Sequence, residues 1–132
     1  MSKEYINPPT LLKSTPAYSQ AVAVRGSRTI YVSGQVGTNV HGELAGNDLF
    51  SQMAQAFQNL GAALAAAGAT AADVVKMTYY VVNYSPDQLL PIREMRNQFF
   101  PLENRPASTL VGVVALAEPG MLVEIEAVAV TE

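Results

Sequence analysis

Cysteine and tryptophan are both missing from this chain of 132 residues, and histidine occurs once, as His41. Without thiols there is no disulfide framework, no thiolate nucleophile and no cysteine-ligated metal. A single imidazole also rules out the histidine pair that acid/base cleavage of a phosphodiester uses. Charge is scarce: 14% of the residues carry it, against roughly 25% in ordinary soluble domains. The net charge of −3 and the pI near 5.1 leave no basic field to displace counterions, so nucleic-acid binding is disfavoured. Long runs of large apolar residues are absent as well. The least polar stretch, "LGAALAAAGATAADVV", is mostly alanine and glycine and contains Asp73, which makes it a poor membrane span. "MSKEYINPPT" has no apolar segment behind Lys3, so no signal or transit peptide is visible and the cytoplasm is the expected location. Gly34, Gly37 and Gly42 lack the spacing of a phosphate cradle, and no metal-ligand cluster is visible. Neither metal nor cofactor is expected.

What is present is apolar. Hydrophobic residues make up 49% of a chain whose length suits one domain, residues 1–132, with a continuous core. So little charge on so small a domain points to surface covered in a homo-oligomer. "SQAVAVRGSRTIYVSG" reads as two strands joined at Gly26-Ser27, with Tyr31 and Ser33 on the face opposite Ile30 and Val32. From Asn47 to Ala67 the residues Leu49, Phe50, Met53, Phe57, Leu60 and Leu64 recur at helical spacing, with Asn47 as N-cap and Gly68 as the stop. "ADVVKMTYYVVNY" is rich in β-branched and aromatic residues and is the expected central strand. A second helix over Ser85–Phe100 opens on the Ser-x-x-Gln capping box "SPDQ"; Pro91 either kinks it or marks the start of its long portion. Strands over Ser108–Leu116 and Met121–Val130 flank "AEPG", a Pro-Gly turn of type II character. The order is ββαβαββ, an α+β domain of one sheet with two helices packed on it.

In the last strand, "MLVEIEAVAV", a period of two puts Glu124 and Glu126 on one face with Leu122 and Val128. Two carboxylates on an apolar ribbon form either a solvated face or a general acid/base site. His41 beside Gly42 suits an exposed turn, Tyr79 and Tyr80 suit core and interface, and Arg93 and Arg96 suit a solvated helix face.

Read together, "PAYSQAV", "IYVSGQVG", "QNLGAALAAAG", "ADVVKMTYYVVNY", "RPASTLVGV" and "LVEIEAVAV" resemble the RidA/YjgF family of reactive-intermediate deaminases, also known as endoribonuclease L-PSP proteins. The resemblance implies a chorismate-mutase-like fold and a homotrimer with small-molecule ligand clefts between subunits. It also implies hydrolysis of 2-imino or 2-enamino acids to 2-oxo acids and ammonia without a cofactor. Carried over position by position, Tyr18 lines the cleft, Ser33 flanks the ligand and Glu124 orients or activates the attacking water. Ser85 is the counterpart of a polar contact before the second helix, and Ser108 and Leu110 face the ligand from the strand that follows Pro106.

One position departs from the pattern. Active deaminases of the family read Pro-Ala-Arg where this chain reads Pro106-Ala107-Ser108, and the arginine grips the substrate carboxylate as a two-pronged, charge-assisted pair. A serine offers one neutral hydrogen bond. Arg105, three residues upstream, is the possible substitute anchor, although in an extended strand an odd spacing turns it to the opposite face. The leading expectation is therefore an imine- or enamine-directed hydrolase, weak on 2-imino acids. The rivals are a non-catalytic metabolite-binding trimer and an endoribonuclease, the latter disfavoured by the acidic balance and the lone histidine.

Overall fold

A computed structural model describes residues 1–13, 18–101 and 103–132. Six strands and two helices follow in the order β1 (Ser2–Ile6), β2 (Ala21–Arg25), β3 (Arg28–Val36), α1 (Leu49–Ala66), β4 (Val74–Val82), α2 (Leu89–Phe99), β5 (Ala107–Val113) and β6 (Val123–Thr131). The architecture is the expected α+β arrangement of two helices against a sheet, with two differences. An N-terminal strand, β1, precedes the expected first strand, giving βββαβαββ, and the described strands form two sheets. β1 pairs antiparallel with β2, while the main sheet runs β3-β6-β4-β5, with β5 parallel to β4.

β2 and β3 are therefore not a hairpin. Gly26 marks the passage from one sheet to the other, and it is glycine because of crowding: a Cβ there would lie 2.6 Å from Val130 Cγ1 and 2.9 Å from the Thr131 carbonyl oxygen. "AEPG" likewise joins β5 to β6 without making them neighbours. It is the expected type II turn, with Gly120 at φ +84° and Met121 N–H donating to the Glu118 carbonyl at 3.4 Å.

α1 starts one residue later than expected. Asp48, not Asn47, is the N-cap, its carboxylate accepting from Ser51 N–H at 2.9 Å. At the other end Gly68 adopts φ +79°, and Ala69 and Gly68 donate to the carbonyls of Leu64 and Ala65, the paired bonds of a Schellman stop. The Ser85 region forms one 3₁₀ turn, Pro86–Gln88, before α2. Gln88 Oε1 accepts from Ser85 N–H at 3.0 Å. Pro91 then falls in the first turn of α2, where its missing N–H breaks no intrahelical bond.

The core lies between the helices and one face of the main sheet. Met53, Leu60 and Leu64 of α1 and Ile92 of α2 meet Met77 and Val81 of β4 and Val123 and Ile125 of β6, all fully buried. Phe57, Phe99 and Phe100 seal the space between the helices, with centroids 4.9 to 6.4 Å apart, the range of attractive ring packing. One polar residue is fully buried among them. Gln52 of α1 donates from Nε2 to the carbonyls of Gly46 and Gly120, both at 2.9 Å, and its Oε1 accepts from Leu122 N–H at 2.8 Å.

Replacing Gln52 by leucine keeps the volume but orphans two carbonyls and one N–H, each costing of the order of 1 kcal/mol or more when buried. We expect Gln52→Leu to lose about 3 kcal/mol in urea unfolding at matched protein concentration. A loss below about 1 kcal/mol would show that these backbone groups find water instead.

Candidate functional site

The open face of the main sheet, turned away from the helices, carries the polar side chains. Alternation along β6 sends Val123, Ile125, Ala127 and Ala129 into the core and Glu124 and Glu126 outward, Glu124 half-buried and Glu126 exposed. On β3, Tyr31 and Ser33 are exposed opposite Val32, which is buried, and Ile30, which is half-buried. β4 contributes Lys76, Thr78 and Tyr80. Tyr31, Ser33, Lys76, Thr78 and Glu126 line a cavity of about 320 Å³ on this face.

An irregularity in β3 shapes it. Val32 is opposite Ala127 and Gln35 opposite Ile125, so Ser33 and Gly34 together oppose the single residue Glu126. This is a β-bulge, which bends a strand and re-aims its side chains. Gly34 leaves room there for the Glu124 side chain, which lies over it. A Cβ on Gly34 would fall 2.5 Å from the Glu124 carboxyl carbon and 2.8 Å from its Oε2. Among the described residues no ion pair or hydrogen bond engages the Glu124 carboxylate. Glu126, by contrast, accepts from Tyr80 Oη at 2.7 Å, and this bond raises the Tyr80 phenol above its usual range. Lys76 donates to Thr109 Oγ1 at 2.6 Å; burial lowers its proton affinity, with Glu126 acting in the opposite direction.

Ser108 and Leu110 belong to the other side of the sheet, and Tyr18 and Arg105 lie in the segments that meet at the start of β5. Ser19 N–H donates to the Pro106 carbonyl at 3.2 Å and Ser19 Oγ to the Arg105 carbonyl at 2.6 Å, which ties the Tyr18–Ser19 segment to the start of β5. Pro16 and Ala17 lie outside the described residues. Ser108 pairs in register with Met77 on the helix-facing side, its hydroxyl 3.4 Å from Tyr79 Oη, and Leu110 packs on the core. Ser85 is half-buried beyond the end of β4, its hydroxyl donating to the Asp87 carboxylate.

The structure thus brings Ser33 and Glu124 together around the bulge, and it sets the Tyr18–Ser19 segment alongside the start of β5, the strand that carries Ser108. It does not bring these two groups together within one chain. β3 and β5 are the opposite edges of a four-stranded sheet, about 14 Å apart at the usual strand spacing.

Two arginines differ from their expected settings. Arg96 is 4% exposed, not on a solvated face, because it follows the fully buried Ile92 by one helical turn. That i, i+4 relation was visible in the sequence. Arg105 is 5% exposed and precedes β5, which begins at Ala107, so extended-strand alternation does not govern it; Asn104, at φ +56°, bends the chain just before it. His41 and Gly42 occupy an exposed turn. Among the described residues no three His, Asp or Glu side chains group as metal ligands, and no helix is long and apolar enough to cross a membrane.

Comparison with known proteins agrees with these motifs. Residues 10–131 match the sequence model of the endoribonuclease L-PSP family. A 2-iminobutanoate/2-iminopropanoate deaminase of Dermatophagoides farinae is 35% identical over 131 residues, 98% of each chain. The human protein of the same name is 39% identical over 114 residues, covering 86% of this chain and 79% of its own. Among solved structures, YyfB of Yersinia pestis, a conserved Rid family protein of unknown function, is 43% identical. It superposes with a TM-score of 0.93 over 98% of this chain and 99% of its own. E. coli TdcF with bound serine is 29% identical, with a TM-score of 0.69 over 87% of this chain and 88% of its own.

The contact between Gly34 and Glu124 sets a test. The atoms a new Cβ would meet are the far end of a flexible side chain, so Gly34→Ala should fold with Glu124 swung off β3 in its crystal structure. An unmoved Glu124, with β3 displaced in its place, would show that the strand is the softer partner.

Proposed function

The chain belongs to the RidA/YjgF family, whose sequence model is that of endoribonuclease L-PSP, and from that premise we propose that it is a homotrimeric hydrolase of small imines or enamines. Its clefts lie between subunits and Glu124 activates the water. The observation that carries this reading is the Glu124 carboxylate, half-buried over Gly34 and engaged by no hydrogen bond or ion pair among the described residues. A carboxylate so held is free to take a proton from water.

In the proposed reaction, Glu124 removes a proton from water as the water oxygen bonds to the imine carbon and the C=N π electrons move to nitrogen. Proton transfers, one of them from the Glu124 carboxyl, then bring the nitrogen to its leaving form. The C–N bond breaks, ammonia departs and a carbonyl compound remains. Water is the sole co-reactant. The split of Ser33 and Glu124 from Tyr18 and Ser108 across one sheet supports clefts between subunits, since the β5 edge of one chain can meet the β3 side of another. Cytoplasmic location accords with this chemistry.

Substrate choice follows from Ser108. One neutral hydroxyl cannot grip a carboxylate as a guanidinium does, so 2-imino acids should be poor substrates. The same residue favours a second reading, a ligand-binding trimer without turnover.

Light scattering at micromolar concentration should give three times the 14.1 kDa chain mass; a monomer would remove the intersubunit cleft. Wild type should hydrolyse 2-iminobutanoate, generated in situ, barely above the uncatalysed rate and other imines faster. Glu124→Gln should lower turnover about 100-fold or more while binding persists. Undiminished turnover in that variant would exclude Glu124, and an absence of turnover on every imine would select the binding trimer.

A further inference from the structure

Lys76 of β4 has no part in the proposed hydrolysis, yet it lines the cavity of about 320 Å³ on the open face, with Tyr31, Ser33, Thr78 and Glu126 around it. That volume suits a small ligand. Lys76 stands opposite Val128, with Tyr31 on the far side of that residue, but its Nζ donates to Thr109 Oγ1 at 2.6 Å, and Thr109 stands opposite Thr78. The amine therefore leans along β4 toward the row that holds Thr78, Glu126 and the bulged Ser33. Among the described residues no carboxylate lies within ion-pair distance of it. Lys3 differs: its Nζ donates to the Ala72 carbonyl at 2.6 Å and lies 4.0 Å from Asp73. Lys13 is exposed. Burial of Lys76 favours the neutral amine, against the longer-range pull of Glu126. With one N–H on Thr109, a neutral amine keeps its lone pair for the cavity, and desolvated lysines of this kind are nucleophiles toward carbonyl carbon. A proton carrier is at hand: Tyr80 Oη engages Oε1 of Glu126 and leaves Oε2 without a partner among the described residues.

We propose that Lys76 reversibly captures small aldehydes or ketones as an imine on its own side chain, with Glu126 moving the protons. The lone pair of the neutral amine bonds to the carbonyl carbon as the C=O π electrons move to oxygen. The Glu126 carboxylate takes the proton that nitrogen sheds and returns it to that oxygen. The nitrogen lone pair then forms the C=N bond as the hydroxyl departs, taking the second nitrogen proton with it as water. Amine and carbonyl compound give imine and water, with no oxidant or reductant. Lys76 is the only cation lining this cavity, and it enters the reaction uncharged beside Glu126, so the captured compound carries no acid group. No step involves Glu124, and the capture does not rest on the proposed hydrolase.

Reductive trapping of the full-length protein with limiting propanal and sodium cyanoborohydride, followed by peptide mass spectrometry, tests this, because hydride fixes the imine as a secondary amine. Lys76 should be labelled about tenfold or more ahead of Lys3, Lys13 and the Met1 amine, the gain in free amine from about one pKa unit. Glyoxylate, an aldehyde that carries an acid group, should show no such lead. Lys76→Arg keeps the charge and a donor for Thr109 but is no nucleophile, so the leading label should vanish while the other amines react as before; Lys76→Met serves if the arginine variant fails to fold. Glu126→Gln should slow capture at Lys76, whereas loss of the negative charge alone would speed it, since Glu126 favours the charged amine. Label that favours Lys3, Lys13 or Met1, or that falls equally on all four amines, overturns the capture site. An equal lead with glyoxylate overturns the acid-free class, and faster capture in Glu126→Gln overturns the part given to Glu126. Imine turnover that depends on Glu124, beside a failure of labelling, would remove the capture site and leave the hydrolase standing.

Discussion

The side-chain amide of Gln52 holds the rest of the structure in register. It lies inside the core, and its three hydrogen bonds join the first turns of α1 to the loop ahead of it and to the Pro-Gly turn that leads into β6. The main chain at the same residue limits the approach of β3, since a Cβ on Gly37 would stand 2.5 Å from the Gln52 carbonyl oxygen and 2.6 Å from its Cα. One residue therefore fixes where β3 ends and where β6 begins. Those two strands carry the bulge and Glu124. Asn59, two turns along α1, donates to the carbonyls of Val36 and Thr38 at 2.9 and 2.8 Å and secures the same strand end.

The bulge converts that rigidity into a site. An uninterrupted β3 would place one side chain opposite Glu126; the extra residue instead sets Ser33 toward the open face and leaves a glycine beneath Glu124. The two carboxylates of β6 then have different surroundings only two residues apart. Glu126 is tied to the Tyr80 hydroxyl, whereas Glu124 is partly covered and free of partners among the described residues. A sheet made only of regular pairs would treat them alike.

Local signals were legible in the sequence. The apolar stripe of α1, the Gly68 stop and the type II turn at Pro119-Gly120 each depend on residues within a turn or two of one another. The two faces of β6 follow from alternation alone. Nonlocal pairing was not legible: β2 and β3 adjoin in sequence, but β2 turns to β1 and β3 to β6, nearly a hundred residues away. Polar residues on buried stripes were the second blind spot. Gln52 lies three residues from Leu49 and four from Ala56, and Arg96 four from Ile92, so their positions indicated burial while their chemistry suggested solvent. The positions were the better guide: Gln52 meets backbone groups outside its own helix, and Arg96, whose hydrogen bond goes to Asn97 of the same helix, is carried inward by the stripe it lies on.

The arginine setting bears on why position 108 is neutral. Ser108 lies on the helix-facing side of β5, next to Tyr79, in the electrostatic neighbourhood of Arg105 and Arg96. A third guanidinium there would enter a low-dielectric region already holding two cations and no carboxylate. Like charges at such separations cost far more than in water.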